Sequence, residues 1–489
     1  MLATLWITAK ADTIEELRNQ FKQELSDFRK QAKVEMDRFR QRANEEYAEQ
    51  LKNPWRSLPQ ETKIEIPDIP SPPPPPLKDD KEPVKPIDKE VPIDTIVLIP
   101  KPKPQPKPVY PIKEVPELSL PDVTKTFYGT LVKVRGAKFS EFKLQSNDPS
   151  SLSTGWKTLA DTENDNFILD CLRLRNELRL PDWGYFKLVD ELLSSYAPSG
   201  TDTHSFLMNY VLTQSGYATK ICVASDNHLR LLFGFNGIMF RRPYLKIDGK
   251  NFYGYKDIPE GQISIAQTGF KDEKNFSMDI PEAPNLKYSP GNTRVLNVHG
   301  YPDIKITCTA NKNLVDFYND YPNAALDNVE YTRWAIQGNT PMSKELENAI
   351  YPVLREKVKG MNQSQAVNFI LKVAQSFEYG YDDEIWGHDR TFWAEESWHY
   401  PLSDCEDHAV NLTRMVRDIL GLDAVLIFYP GHLSAGIAIT DGSQSGDYVV
   451  HNGKKYTVCD GTYFYASAGQ TAPNYDNTSA ILIPLRKSK

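Results

Sequence analysis

The sequence predicts an α+β fold in which a helix packs on an antiparallel sheet, and three features of its last third carry that prediction. An amphipathic run with apolar residues at helical spacing follows Ser403 and ends before Gly421, a typical helix stop. Two strand-like runs come next, AVLIFYP and HLSAGIAIT, separated by a Pro-Gly turn. The third run, YVVHNGKKYTVCD, has the hairpin dipeptide Asn452-Gly453 at its centre.

The start of the predicted helix places Cys405 in its first turn. Ser403 and Glu406 have the spacing of a capping box, which would begin the helix here. Unpaired amides and the positive end of the helix dipole favour a thiolate at such a position, and the thiolate is the nucleophilic form of cysteine. The negative charges of Asp404, Glu406 and Asp407 oppose that effect, so we expect a cationic partner to complete the activation.

Two further residues stand where they can supply this partner and its orientation. His432 opens the second strand, and Asp460 ends the third run. A cysteine on a helix, a histidine on a strand and an aspartate at a strand end provide a nucleophile, a base and an orienting acid. A lone cysteine is usually a small buried apolar residue, but the order and setting of all three favour catalysis.

The segments that carry these residues resemble the transglutaminase-like superfamily, as in bacterial transglutaminase-like domain proteins. The resemblance rests on SDCEDHAV, PGHLSAGIAI and YTVCDGTY and spans roughly 342–484. It implies a papain-like core with Cys405, His432 and Asp460 as a catalytic triad in that order. Gly461 stands where many members have a proline after the aspartate.

The aromatic and charged stretch 377–400 is too polar to be predicted as core, and members of the superfamily carry a similar segment before the nucleophile. The resemblance therefore implies a substrate-binding wall with four candidate residues: Trp393, Glu395, Glu396 and Trp398. It implies no cofactor. We also expect no metal site, since the spacing of the histidines around the candidate triad matches no standard ligand motif: His388, His399, His408 and His451.

The implied reaction is acyl transfer at an amide bond of a protein or peptide. His432 would take the proton of Cys405, Asp460 would hold the imidazole, and the thiolate would attack the carbonyl. Water as the acceptor gives a cysteine peptidase or amidase, which we favour because no hydrophobic channel for an amine is evident. An amine acceptor would give a protein-glutamine transamidase that crosslinks proteins. A non-catalytic binding or scaffold protein with an inactive papain-like fold is the third alternative.

The charge and hydropathy of the chain exclude some classes of partner. The 489 residues carry 57 Lys and Arg against 65 Asp and Glu, a formal net charge of −8. This balance argues against nucleic acid or an anionic membrane as the main partner. No apolar run approaches the length of a membrane-spanning helix, and a hydrophobic content of 40% can build two or three domains.

Residues 1–11, MLATLWITAKA, form a short apolar run that ends in a small-x-small pattern, which predicts a truncated signal peptide without its basic start. Export would place the protein in the periplasm or outside the cell. Without a signal peptide we would expect a cytoplasmic protein. Export would also place the five cysteines in an oxidising setting, and their odd number fits one free thiol.

Residues 12–53 predict one long amphipathic helix. Its apolar residues recur every 11 positions, as in the row Ile14, Leu25, Met36 and Tyr47. This period keeps a narrow stripe aligned along a gently right-handed coiled coil. We therefore expect self-association through residues 14–52, with packing of the helix on its own protein as the alternative.

Residues 54–123 predict a proline-rich linker, since half of the chain's 36 prolines lie between 67 and 121. Such sequence builds no core and extends at about 3.1 Å per residue, so roughly 55 residues reach on the order of 150 Å. Docking of partner domains is a less common role of proline-rich motifs.

Residues 124–270 predict a degenerate copy of the C-terminal unit. FLMNYVLTQSGYATKICV aligns with NLTRMVRDILGLDAVLIF, and His228 aligns with the histidine of the later unit across a one-residue gap. Gly200 falls at the place of the nucleophile, and Lys256 or Asp257 at the place of the acid, so this copy lacks a thiol. Residues 271–341 predict a small β-rich segment, and 342–489 the catalytic domain.

Overall fold

The computed structural model describes residues 2–58, 64–68, 90–92, 96–161 and 164–487. It is a mixed α+β structure with a long N-terminal helix and two large sheets of six strands each. The α+β class and the long helix are therefore confirmed.

Helix α1, Leu2–Gln50, includes most of the stretch that the sequence assigns to a signal peptide. Its last turns pack on the protein, where Tyr47 stacks on Trp156 with ring centroids 3.7 Å apart. Farther up the helix Phe21 and Phe28 are 65% and 70% exposed. The helix thus packs on its own chain near its C-terminal end, and the expected self-association of the rest stays a prediction.

Four short strands follow α1, and the last two form a hairpin: β1, Trp55–Ser57; β2, Glu90–Pro92; β3, Val123–Phe127; and β4, Thr130–Val134.

The first sheet-bearing unit has four helices before its strands: α2, Pro149–Asp161; α3, Asp165–Glu177; α4, Asp182–Leu193; and α5, Asp202–Gln214. The strands are β5, Thr219–Val223; β6, Leu229–Gly234; β7, Gly237–Met239; β8, Tyr244–Ile247; β9, Lys250–Gly254; and β10, Ser264–Ala266. Five of these strands and β1 form one sheet in the order β1-β10-β5-β6-β9-β8.

The sequence predicted a small β-rich segment at 271–341. The structure has helices there as well as strands. The segment contains β11, Pro290–Asn297; β12, Lys305–Asn311; α6, Lys312–Asn319; β13, Ala324–Leu326; and α7, Thr332–Asn339. Helix α6 buries apolar residues at helical spacing, such as Leu314 and Phe317, and α7 is buried on all sides, Ala335 and Ile336 included.

The C-terminal unit begins with helices and short strands: α8, Lys344–Val358; α9, Gln363–Ala374; β14, Glu378–Tyr379; α10, Asp382–Ile385; α11, Ala394–Ser397; β15, Leu402–Ser403; and α12, Cys405–Leu420. The sheet strands are β16, Ala424–Tyr429; β17, His432–Ile437; β18, Tyr448–His451; β19, Lys454–Cys459; and β20, Ile481–Pro484. With β2 they form a sheet in the order β2-β18-β19-β17-β16-β20. Gly421 ends α12 with φ of 66°, a left-handed value that glycine adopts without strain.

The two large sheets share one strand order. The first contains β10-β5-β6-β9-β8 and the second β20-β16-β17-β19-β18, and every neighbouring pair in both series is antiparallel. In each unit the helix before the first central strand, α5 or α12, packs on the sheet. This repeat agrees with the expected degenerate copy, whose common origin with the second unit stays a prediction.

The described residues of the proline-rich stretch lie on the folded protein. β1 pairs with β10 and β2 with β18, Val97 donates its N–H to Leu482 O at 2.8 Å, and Tyr110 accepts from Asn44 Nδ2 at 2.8 Å. Proline removes a donor but leaves carbonyls and neighbouring side chains that can pack. The expected extended spacer therefore does not hold for these residues, while 59–63, 69–89 and 93–95 lie outside the described part.

Among the described residues, no helix combines the length and the apolar character that crossing a membrane requires. All five cysteines are buried and unpaired.

Candidate functional site

Helix α12 begins with Cys405 as its first residue. The N-cap is Asp404, whose N–H donates to Asp407 Oδ2 at 3.2 Å. Ser403 does not cap the helix because its backbone pairs with Tyr379 in the short β14–β15 ladder. The predicted capping residues, Ser403 and Glu406, are therefore wrong by one position, while the cysteine lies in the first turn as expected.

Strand β17 and the end of β19 bring His432 and Asp460 together. His432 Nε2 lies 2.8 Å from Asp460 Oδ2, and both residues are buried. Asp460 Oδ1 accepts the N–H and the hydroxyl of Thr462, each at 2.9 Å. Burial alone would raise the pKa of Asp460, but the charge and hydrogen bond of His432 and the bonds from Thr462 lower this pKa to about 2. The acid therefore stays ionised and can hold the imidazole.

The second nitrogen of this imidazole is free. His432 Nδ1 is buried and has no hydrogen-bond partner among the described residues. Tyr475 stacks on the ring at 4.5 Å between centroids, with 11° between the planes. A histidine held by a carboxylate at one nitrogen and open at the other is oriented to accept a proton.

The thiol of Cys405 lies close to this pair but is not bonded to it. Its Sγ donates to Glu406 Oε2 at 3.1 Å, and the Leu433 N–H points to the sulfur. Cys405 is 2% exposed and packs in an apolar cluster with Trp334. In the described part of the chain no hydrogen bond joins the sulfur to His432. The three predicted catalytic residues thus meet in one region, with two of them bonded.

The surroundings of the thiol favour its neutral form. Burial raises the pKa of Cys405 well above its ordinary value, and the charges of Glu406 and Asp404 raise it further. The Leu433 N–H acts in the opposite direction. A helix dipole contributes about 1 kcal/mol at such a position, so the expected activation by the start of α12 is outweighed.

Four carboxyl groups converge beside the nucleophile. The ligand atoms of Asp382, Asp389, Asp404 and Glu406 all lie within 4.8 Å of one another, and all four residues are buried. Arg333 Nη1 lies 2.9 Å from Asp389 Oδ2. Four buried carboxyl groups this close to one another favour shared protons or a bound cation in this acidic cluster.

The acidic cluster could hold either shared protons or a bound cation. Burial, and next the charge of Glu406, raise the pKa of Asp389 to about 8, while Arg333 opposes this rise. Carboxylate oxygens are also the ligands that Ca²⁺ and Mg²⁺ prefer. The spacing of the histidines predicted no metal site, whereas this cluster joins carboxylates from two separate segments.

Two predicted substrate-binding residues, Glu395 and Glu396, are bound within the protein. Glu395 accepts the N–H of Ser343 at 2.8 Å and its hydroxyl at 2.9 Å. Glu396 pairs with Arg390 and accepts the Trp393 N–H at 3.1 Å. Burial raises the pKa of each glutamate to about 7, and these contacts oppose the rise. Both side chains tie neighbouring segments together instead of facing a cleft.

The two predicted tryptophans are also buried. Trp398 packs edge-on against Phe377 at 4.9 Å and donates its Nε1 to Asn411 at 3.2 Å. Trp393 stacks on Tyr318 at 4.8 Å and lines a cavity of about 350 Å³. The expectation that 377–400 is too polar for a core is wrong for 391–398, which are all buried and whose two glutamates have partners inside, whereas Glu378 is exposed. Among the four candidates, only Trp393 lies on a described cavity.

Several residues of the site were missed by the sequence analysis. Arg333 and Trp334 lie on α7, which packs on α12, and Tyr475 precedes β20. Tertiary contacts bring them to the thiol, and no local spacing indicates them. Asp382 and Asp389 had a weak signal, since they are acidic residues shortly before the nucleophile.

The first unit has other groups at the corresponding place. α5 begins at Asp202, whose Oδ1 lies 3.2 Å from His228 Nδ1. Lys256 follows β9, the counterpart of β19. Cys405 is the first residue of α12, and Asp202 is the first residue of α5, so Asp202 corresponds to the nucleophile in the structure. The ungapped alignment had placed Gly200 there, but Gly200 precedes the helix. The first unit therefore carries an aspartate–histidine pair where the second carries cysteine and histidine.

No protein-family model, no curated protein and no solved structure matches this chain. The site itself is therefore the basis for assigning a function.

Proposed function

We propose that this protein is a transglutaminase-like cysteine hydrolase that cleaves amide bonds in a protein or peptide. The observation that supports this most strongly is the His432–Asp460 pair at 2.8 Å, with Nδ1 of the imidazole free and Cys405 close by at the start of α12. These are the elements of a thiol nucleophile, its base and the orienter of that base.

The first half of the reaction makes an acyl-enzyme. The Cys405 thiol turns from Glu406 to His432 Nδ1, which takes its proton, and the thiolate attacks the amide carbonyl. Backbone amides at the start of α12 stabilise the oxyanion. The imidazolium then donates its proton to the departing amine as the carbon–nitrogen bond breaks, which leaves a thioester on the sulfur.

The second half regenerates the enzyme. His432 takes a proton from water, the hydroxide attacks the thioester, and the carboxylic acid leaves as the thiol recovers its proton. Asp460 remains ionised throughout because its pKa is near 2. An amine in place of water would give a transamidase, and no described contact favours an amine acceptor.

A non-catalytic scaffold is the second candidate, and the burial of the site favours it. Cys405 is 2% exposed, and burial with the nearby acids raises its pKa. For catalysis the substrate must therefore reach the thiol through a local opening. Tyr475, half-buried and stacked on the imidazole, covers one face of the site.

An assay of amide cleavage separates the candidates. We expect the full chain to hydrolyse members of a quenched-fluorescent peptide library, and a fluorescent primary amine added in parallel to remain unincorporated. Cys405→Ala should abolish cleavage, and His432→Ala should reduce it at least about 100-fold. Cys459→Ala is the matched control, since Cys459 is also buried but lies on β19. Cleavage that survives in Cys405→Ala, or peptide binding without any turnover, would reject the hydrolase.

A further inference from the structure

The cavity that Trp393 lines lies between the first unit and the segment that precedes the nucleophile. Its volume is about 350 Å³. Its walls come from the connection between β7 and β8, from α6 and the loop after it, from α7, and from residues 386–393. Ligand pockets in proteins begin at about 300 Å³, so this space has the size for one small molecule.

Unpartnered polar atoms are concentrated on these walls. Five neutral lining residues each present a buried atom that has no hydrogen-bond partner among the described residues: Tyr318 Oη, Asn323 Oδ1, Gln337 Oε1, Trp386 Nε1 and Trp393 Nε1. Buried polar groups in folded proteins are almost always satisfied. A cavity with this many open donors and acceptors must therefore be filled by water or by a polar ligand.

The open groups define what that ligand must offer. The two indoles can only donate, the two amide oxygens can only accept, and the phenol can do both. A hydroxyl group both donates and accepts, so a molecule with several hydroxyls can meet all five. The stacked rings of Trp393 and Tyr318, 4.8 Å apart, also supply a flat apolar wall for a C–H face.

Two charged residues that line the cavity, Asp389 and Arg390, each have an ionic partner within the protein. Asp389 faces Arg333 Nη1 at 2.9 Å. Arg390 pairs with Glu396 and donates to Asn319 Oδ1 at 2.6 Å. A charged ligand would have to compete with the protein for one member of these ion pairs, so a neutral ligand fits best.

We propose that this cavity binds a neutral polyhydroxyl ligand of the size of a single sugar ring. Gln337 and Asn323 accept its hydroxyl protons, Trp386 and Trp393 donate to its oxygens, and the aromatic wall covers one face of the ring. Binding at this cavity does not depend on the chemistry proposed for Cys405 and needs no turnover to be observed.

Binding to the dialysed full chain tests this proposal. The probes are D-glucose, D-galactose, D-mannose and N-acetyl-D-glucosamine, with glycylglycine as a non-sugar polar control, followed by tryptophan fluorescence and calorimetry. We expect at least one sugar to bind with Kd of about 1 mM or tighter. Gln337→Leu and Trp386→Phe should each weaken that binding about tenfold or more.

Trp334→Phe is the matched control, since its Nε1 is also buried and unpartnered but Trp334 does not line the cavity. Unchanged sugar binding in this variant, with loss in the other two, supports the site. Thermal unfolding of each variant identifies losses that come from misfolding, and Asn323→Ser provides a milder change at the cavity. No binding of any sugar to the folded wild type, binding that ignores the cavity variants, or preference for glycylglycine would overturn the proposal.

Discussion

Glu406 has a double effect on the nucleophile next to it. Its carboxylate accepts the thiol proton at 3.1 Å and, after burial, is the largest cause that raises the pKa of Cys405. The same carboxylate belongs to the acidic cluster and contributes to the raised pKa of Asp389. At the scale of single residues, Glu406 therefore holds the sulfur in its protonated form and away from His432.

Removing this charge should activate the thiol. In Glu406→Gln we expect the pKa of Cys405 to fall and its alkylation by iodoacetamide at pH 7 to become about tenfold faster, because one pKa unit is a tenfold change in thiolate. Peptide mapping by mass spectrometry would measure the rate at Cys405. Glu356→Gln, an exposed change on α8, is the control and should leave the rate unaltered. An unchanged rate in Glu406→Gln would show that this carboxylate does not restrain the sulfur.

At the scale of elements, the buried glutamates on α11 couple the C-terminal unit to pH. Glu395 binds the start of α8 through Ser343, and Glu396 binds Arg390. The pKa of each is raised to about 7 from an ordinary value of 4.5, mainly by burial. The folded protein thus binds protons that the unfolded chain releases between these two values.

The stability of the protein should therefore fall as pH rises from about 5 to about 7.5. Because the pKa of each glutamate is higher in the folded protein than in the unfolded chain, the stabilisation is complete at the acidic end of this window and is lost as pH rises through it. The free energy of unfolding should fall on the order of 1 kcal/mol per pH unit for each group. Urea unfolding at each pH would measure it. Glu395→Gln should make stability depend less on pH. Glu378→Gln is the control, since Glu378 is exposed on β14, and it should leave the pH dependence unchanged. Stability that rises with pH over this window would contradict the prediction.

Local signals made some of this site predictable. Gly421, the Asn452-Gly453 hairpin and the apolar runs located α12, β16, β17 and β19, and so located Cys405, His432 and Asp460. Each of these signals acts within a few residues of the chain.

Other parts of the site depend on pairing between distant segments. Glu395 looked exposed in sequence because its partner Ser343 lies far away in the chain. Arg333 and Trp334 reach the site only through the packing of α7 on α12. The proline-rich stretch likewise looked extended because proline density does not show that Tyr110 has a buried place beside α1.

At the scale of the whole molecule, the described residues of the proline-rich stretch and the end of α1 join the N-terminal segments to both sheets. β1 extends the first sheet, and β2 extends the second. The apolar stripe on the earlier part of α1 is exposed to solvent at Phe21, Leu25 and Phe28. A narrow stripe of this kind is stabilised when a second helix covers it.

We expect the full chain to associate through this stripe. Sedimentation velocity over a range of concentrations should show a dimer or larger species, and the double change Phe21→Glu with Phe28→Glu should give a monomer, because it places charges in the apolar seam. Leu131→Glu is the control, since Leu131 is 72% exposed on β4 and lies outside the helix. A wild-type chain that stays monomeric at every concentration would contradict self-association.

The most direct test of the proposed catalytic centre is the pH profile of alkylation at each cysteine of the folded chain. If Cys405 and His432 form a working pair, a peptide-like electrophile should label Cys405 faster than buried Cys459 between about pH 5 and 8, and His432→Ala should remove that advantage. Equal labelling of Cys405 and Cys459, with no response to His432→Ala, would contradict the central claim.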